Sequence, residues 1–284
     1  PLESLLERPL DESFKRVELH TLLSHCSGFS AHRNFWKLLK DIEDERKNEW
    51  LLNEILGHQL EYTTQSRHIY SDVGYLLLGN VVRVKSGLDL DEYWNLFIAG
   101  PAGLGEKLCF GPLKETKGVV ATGHCSWSKR LLTGLVHDDN CRALGGVGGH
   151  AGLFGSSEGV LELCEQFLDL YHRRKNNLTV SPTTFKRAAN RVGNSDWSCG
   201  FSLPSASGSS SGIHFSDKSI GHLGFTGVSL LIDVEKQIII SVLTNRTRKG
   251  EDMEGIREAR PVLHNAVMEC LTGKKNPPAE PGDV

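Results

Sequence analysis

The 284-residue sequence lacks a charge bias: 32 lysines and arginines stand against 35 aspartates and glutamates, a formal net charge of −3. It has no basic stripe interleaved with aromatics, so nothing in it argues for nucleic acid as a partner. No apolar run approaches the ~20 residues that a membrane-spanning helix needs. No internal repeat is present, which excludes solenoid and propeller architectures. The seven cysteines, Cys26, Cys109, Cys125, Cys141, Cys164, Cys199 and Cys270, are scattered, odd in number and form no C-x-x-C pair. That pattern supports neither a disulfide framework nor a zinc site. It fits a reducing compartment, so a cytoplasmic location is expected over a secreted one. His and Cys spacing offers no metal site, and no cofactor is expected. The chain opens at Pro1-Leu2-Glu3-Ser4, which reads as neither a signal peptide nor an initiator context, and a fragment or processed product is expected.

What is present is ordinary globular composition, 39% hydrophobic and 24% charged, in a chain long enough to bury a sizeable core. Residues 17–25 read as a short helix, with Gly28 able to take a left-handed cap. Residues 32–58 read as amphipathic helix with a solvated charged face. Asp72 is a natural N-cap for a helix through Lys85, and a third helix starts near Asp89 and ends near Gly100-Pro101. Residues 103–155 are rich in glycine and turn residues, and a long irregular stretch of that kind is usually functional. Ser156-Ser157-Glu158 opens a helix to about Arg174, and 204–212 is a flexible loop. Val228–Asp233 and Gln237–Thr244 form a hairpin turning at 233–236, before a last helix near Glu254–Leu271. The expected architecture is α+β. One domain spans 1–273, its helical region about 17–200 and its sheet strands and C-terminal helix about 213–272, with a disordered tail at 274–284.

The run Gly221-His222-Leu223-Gly224-Phe225-Thr226-Gly227 sets a histidine in a tight, glycine-rich frame ahead of a strand. Glycine in a strand marks a bulge or a close approach by a ligand or another backbone. The run is therefore either one wall of an active site or a glycine-kinked strand with a surface histidine.

Two further segments precede it: Leu22-Leu23-Ser24-His25-Cys26-Ser27-Gly28-Phe29 and Tyr70-Ser71-Asp72-Val73-Gly74-Tyr75-Leu76-Leu77-Leu78-Gly79. In this order the three resemble the serine β-lactamase and penicillin-binding superfamily, in its class C, D-Ala-D-Ala peptidase and esterase-like branch. Val136-His137-Asp138-Asp139-Asn140 with Gly145-Gly146-Val147-Gly148-Gly149-His150-Ala151-Gly152 is similar to a bacterial subgroup associated with muropeptide recycling. Leu243-Thr244-Asn245-Arg246, with Arg257, Arg260 and Pro261, also fits. The resemblance runs from about residue 17 to 270 and implies a β-lactamase-like fold. That family works through Ser-x-x-Lys, Tyr-x-Asn and Lys-Thr-Gly or its histidine variant, with a serine attacking a carbonyl. By resemblance Tyr70 is the proton shuttle, and Asp72 orients substrate and supports the site. His222 binds or polarises the substrate in place of lysine, and the Phe225 N–H donates to an oxyanion beside Gly224.

His137 and Asp138 are candidates for the pocket rim, the alternative being a turn held by an Asx hydrogen bond. His150 lines the pocket or stabilises its loop. His25 reads as a core histidine that hydrogen-bonds the turn. The one Ser-x-x-Lys string, Ser126-Trp127-Ser128-Lys129, follows Tyr70 in an irregular stretch and reads as a chance match. Leu223 stands where threonine is usual, and Gln65-Ser66 where Pro-Gly is frequent. Two readings remain. One is a serine hydrolase of cell-wall peptides, muropeptides or small esters whose nucleophile and N-terminal strands lie on a segment not in this sequence. The other is a catalytically inactive binding or regulatory module. The expected partners are a small-molecule or peptide substrate and an N-terminal segment that completes the sheet. Without that segment the hairpin is expected to expose an edge or an apolar face.

Overall fold

The structure, a computed structural model, describes residues 1–248, 250 and 253–273. Its helical half begins with α1 (Leu2–Leu6), α2 (Leu19–Leu23), α3 (Trp36–Leu39) and α4 (Lys47–Leu56) and centres on α5 (Asp72–Ser86). Val73, Leu76, Leu77 and Val81 of α5 recur at helical spacing and turn inward onto Leu2, Leu22, Leu51 and Ile55. Burying each of those leucines contributes about 1.5–3 kcal/mol, which outweighs the propensity cost of the valines. Gly87 ends α5 in the left-handed conformation, at φ 72°.

Local boundaries differ from the sequence reading at three points. The helix expected over 17–25 stops at Leu23; His25 follows it in the left-handed region at φ 58°, and Gly28 also takes a positive φ, 102°. The stretch 32–58 is broken into α3, a 3-10 turn at Asp44–Arg46, and α4. Ile42 is the one aliphatic residue between Asp41 and Arg46, so that segment has little to bury and the helix does not continue. Ser71, not Asp72, is the N-cap of α5: its Oγ accepts from the Gly74 N–H at 2.9 Å, and Asp72 is the first helical residue.

Beyond α5, α6 (Leu90–Trp94) starts on an Asp89–Glu92 capping box and runs through a π-turn into α7 (Gly100–Ala102). Residues 103–155 contain β1 (Leu108–Phe110), β2 (Gly123–His124), β3 (Leu131–Leu132), α8 (Asp139–Ala143) and β4 (Leu153–Gly155). β1 pairs antiparallel with β4, and β2 with β3. Ladders of two or three residues are too short for an alternating pattern to announce them. α9 (Ser157–Tyr171) follows its Ser156 cap as expected. α10 (Pro182–Ala189) was not anticipated, although Ser181 as cap and Pro182 at N1 mark its start.

The second half is built on the antiparallel sheet of β5 (Ile220–Leu223), β6 (Ser229–Asp233) and β7 (Ile238–Val242), in that order. Its side chains alternate as the pleat requires. Ile220, Ile232 and Ile239 share one face with Cys164 and Leu168 of α9. Leu231 and Ile240 share the other with Met268 of α11 (Met253–Thr272). Both faces are covered, so the hairpin exposes no bare apolar face; β5, bridged at Gly221 to Ser202, and β7 are the outer strands among the described residues. No helix among the described residues is long and apolar enough to cross a membrane. The tail expected at 274–284 lies outside the described residues.

The glycine-rich stretch packs against α5 at Gly149, where an added Cβ would overlap the Tyr75 carbonyl. Because the obstacle is backbone, Gly149→Ala should cost about 1–3 kcal/mol in urea unfolding. Gly105→Ala, where a Cβ meets nothing within 4 Å, should stay within about 0.5 kcal/mol of the parent.

Candidate functional site

Tyr70 and Asp72 owe their positions to Ser71 between them. The Ser71 Oγ donates to the Ser30 carbonyl at 2.7 Å, its N–H donates to His25 Nδ1 at 3.1 Å, and the Asp72 N–H donates to the Ala31 carbonyl at 2.8 Å. These bonds tie the start of α5 to a segment some forty residues earlier. His25, 2% exposed, packs its ring at 4.6 Å from Tyr70, 4.9 Å from Tyr75 and 4.6 Å from Trp197. Desolvation first, and the neighbouring His222 second, push the His25 pKa down to about 4, so the ring is neutral. A neutral ring accepting at Nδ1 carries its proton on Nε2. Tyr70 stays 43% exposed above this platform. Packing against the platform, together with the carboxylates of Asp72 and Asp138, raises its pKa to about 12.

β5 supplies the facing wall. Its Gly221 exchanges backbone bonds with Ser202 on one side, and Gly221 and His222 pair with Leu231 and Leu230 on the other. His222 Nδ1 donates to the Leu223 carbonyl at 2.9 Å, which leaves Nε2 as an acceptor in the neutral ring. Burial lowers the His222 pKa, so this histidine does not carry lysine's charge at neutral pH. A Cβ on Gly224 would overlap Val228, so the turn that presents Phe225 requires glycine there. That turn is held from behind: Arg260 donates to the carbonyls of Gly224 at 2.8 Å and Val228 at 2.9 Å, and Arg246 donates to the Phe225 carbonyl. The Arg246 guanidinium lies 4.2 Å from the centre of the Phe225 ring, which is 55% exposed.

The third wall is the glycine-rich stretch. Asp138 caps α8 by accepting from the Cys141 N–H at 2.7 Å and also accepts from His150 Nε2 at 2.8 Å. Burial alone would raise the Asp138 pKa, but the bond and charge of His150 and the Cys141 N–H outweigh it and hold it below the ordinary carboxylate value. The Asp138 carboxylate therefore both caps a helix, as the Asx alternative supposed, and pins the loop through His150. The His137 ring stacks on Phe225 at 5.8 Å, bridging the second and third walls.

Tyr70, Asp72, His137, Asp138, His150, His222, Gly224 and Phe225 all line a single cleft of about 1940 Å³. Sequence reasoning did not single out His32, whose Nδ1 lies 3.2 Å from Asp72 Oδ2 in the same cleft. Nor did it single out Trp197, because both reach the site through contacts that local periodicity does not encode. The Ser126–Lys129 segment forms a turn between β2 and β3. The Lys129 ammonium bonds the Ser126 carbonyl at 2.7 Å, while the Ser126 hydroxyl is donated to Asp139 at 2.6 Å. A Ser-x-x-Lys nucleophile would need the lysine amine at the hydroxyl instead. Among the described residues no group of three or more His, Cys, Asp or Glu side chains could hold a metal ion.

Comparison with known proteins gives this geometry a lineage. The family model described as Beta-lactamase matches residues 1–263. The N-acetylmuramyl-L-alanine amidase of Bacillus subtilis (strain 168) is 29% identical over 261 residues, which cover 81% of this chain and 56% of that protein. The chain thus spans little more than half the length of the curated relatives it matches. Among solved structures, EstCE1, a hydrolase with promiscuous acyltransferase activity, aligns with a TM-score of 0.66 at 19% identity, covering 92% of this chain and 77% of its own. A penicillin-binding protein from Bacillus halodurans aligns at 0.63 and 18% identity, covering 95% and 76%. These likenesses place the fold.

The neutral His25 has a consequence for stability. Its folded pKa, about 4, lies below the ordinary 6.5, so between those values the unfolded chain binds a proton that the folded chain does not. Stability should therefore fall as pH drops from about 6.5 toward 4. His25→Asn, which keeps a residue tolerant of the left-handed conformation, should flatten part of that slope in urea titrations read at several pH values. An unchanged slope would contradict a neutral, buried His25.

Proposed function

The chain belongs to the β-lactamase family, and on that premise we propose that it forms the acyl-binding cleft of a serine hydrolase. The bond cleaved is an amide or ester in a cell-wall peptide or muropeptide. The nucleophilic serine, with its lysine, comes from a segment outside these 284 residues. The observation that carries the reading is the convergence of Tyr70 and Asp72 with the His222–Phe225 edge in one cleft, in the order the family uses. The name of the Bacillus relative, an amidase at a muramyl–alanine bond, supports a cell-wall amide as the substrate class.

In this reading the serine oxygen adds to the substrate carbonyl, and the Phe225 N–H stabilises the oxyanion that forms. Tyr70 passes the serine proton to the leaving group. Its pKa of about 12 keeps the hydroxyl protonated in the free cleft, and a cation beside it, offsetting Asp72 and Asp138, would lower that pKa and let it act as a base. Asp72 holds the start of α5 and the substrate's orientation. Gly224 lets the substrate backbone lie against β5, and the neutral His222 offers Nε2 as an acceptor to a substrate N–H. His137, Asp138 and His150 shape the opposite rim.

A second reading, a ligand-binding module without turnover, draws on two observations. His222 is neutral where the family pattern carries a lysine, and Leu223 removes a hydroxyl that would bond substrate. Fluorophosphonate or fluorescent penicillin labelling of the full-length protein separates them. The hydrolase reading expects one labelled serine, and Tyr70→Phe should slow labelling about 10²–10⁴-fold. No labelled serine, with nitrocefin and p-nitrophenyl esters also unhydrolysed, would leave the binding module.

A further inference from the structure

We propose that His32 is the general base that activates water in the hydrolytic step, with Asp72 as its positioning residue. The proposal rests on the hydrolase reading above and goes beyond it, since that reading uses Tyr70 to move the serine proton in acylation and assigns no base to the water of the hydrolytic step.

The argument begins with geometry. Asp72 Oδ2 lies 3.2 Å from His32 Nδ1, and a carboxylate can only accept, so Nδ1 carries the proton. The neutral ring then presents a lone pair on Nε2. Carboxylate and imidazole form the orienting half of a nucleophile–histidine–acid triad, here without a side-chain nucleophile attached. Both residues line the cleft that holds Tyr70, His222 and Phe225, and the His32 side chain is 45% exposed while its carboxylate partner is 23% exposed. Asp72 is also the anion nearest in sequence to Tyr70 and raises its pKa, so one carboxylate acts on both groups. An ordinary surface pair would lie away from the cleft and be worth little.

The charges around His32 suit the task. The groups that face it are Asp72 from α5, Asp138 from the start of α8, and Asn34 on its own segment. The bond to Asp72 is the largest influence and, with Asp138, raises the His32 pKa above 6.5 despite partial burial. That higher proton affinity strengthens the imidazole as a base toward water. His25, by contrast, is sealed beneath Tyr70, and His222 is buried; neither is raised toward neutrality.

In the step itself, a water oxygen adds to the acyl carbon while one of its protons moves to His32 Nε2. The tetrahedral intermediate collapses, the bond between the acyl carbon and the serine oxygen breaks, and the imidazolium returns its proton to that oxygen. The products are a free carboxylic acid and the regenerated hydroxyl. Atoms and charge balance with water alone as co-reactant.

The test uses full-length protein and a p-nitrophenyl ester under burst conditions. His32→Gln should leave the burst of acylation within a few-fold of the parent and slow the subsequent turnover about 10²-fold, with the acyl adduct accumulating on intact-mass measurement. Added imidazole should restore part of the turnover in His32→Ala. In Asp72→Asn the ring loses its carboxylate, its pKa falls, and the acid limb of the turnover profile should move to lower pH; a merely structural role for the pair would leave that limb in place. If the parent acylates and His32→Gln deacylates at the parental rate, the proposal for His32 falls and the hydrolase reading stands. If the parent never acylates, the hydrolase reading falls and takes the role of His32 with it.

Discussion

The site depends on how the start of α5 is held. Ser71 makes three hydrogen bonds there, to Ser30, His25 and Gly74, and Asp72 adds a fourth to Ala31. Each is modest by itself, about 1 kcal/mol net, but all four converge on two residues. They fix the direction in which Tyr70 and Asp72 leave the backbone. Losing the Ser71 hydroxyl would leave the Gly74 N–H and the Ser30 carbonyl without that partner together, in a place largely closed to water. The helix end is thus also the anchor of the cleft.

From that anchor the remaining charges follow. Burial keeps His25 and His222 neutral, while Asp72 and Asp138 stay on the cleft surface, so the local field is negative. Burial first, and this negative field second, hold the proton on Tyr70, while the hydrogen bond to Asp72 leads the rise in the His32 pKa. The same field would welcome a cation, which is what the lysine of the family's first motif supplies in the proposed reading. The sheet side answers with backbone rather than charge. Gly224 and the turn behind it are braced by Arg246 and Arg260, whose donors serve carbonyls of the turn.

Much of this was legible in the sequence, and the reasons are uneven. α5, α9 and the β6–β7 hairpin announce themselves through apolar spacing and turn chemistry because their own residues decide their structure. The eight candidate residues were found through the order of family motifs, and they line one cleft. What local pattern did not reveal were choices made at a distance. Ser71 and Asp72 are both good caps, and a carbonyl forty-one residues earlier is among the partners of the serine. His25 takes a left-handed conformation ahead of Gly28, which also has a positive φ, and does so in a cluster drawn from α5 and Trp197. The His32–Asp72 pair spans forty positions. The two- and three-residue ladders within 103–155 and the break at 40–46 leave no periodic trace.

The central claim is that Tyr70 and the edge of β5 converge on one carbonyl-binding point. The most direct measurement is a crystal structure of the full-length protein with an acylamino-boronic acid, whose tetrahedral boron mimics the intermediate. The account predicts one boronate oxygen within hydrogen-bond distance of the Phe225 N–H, and another group of the adduct at the Tyr70 hydroxyl. A boronate bound elsewhere, or one bound with the Phe225 N–H turned away from it, would contradict the account.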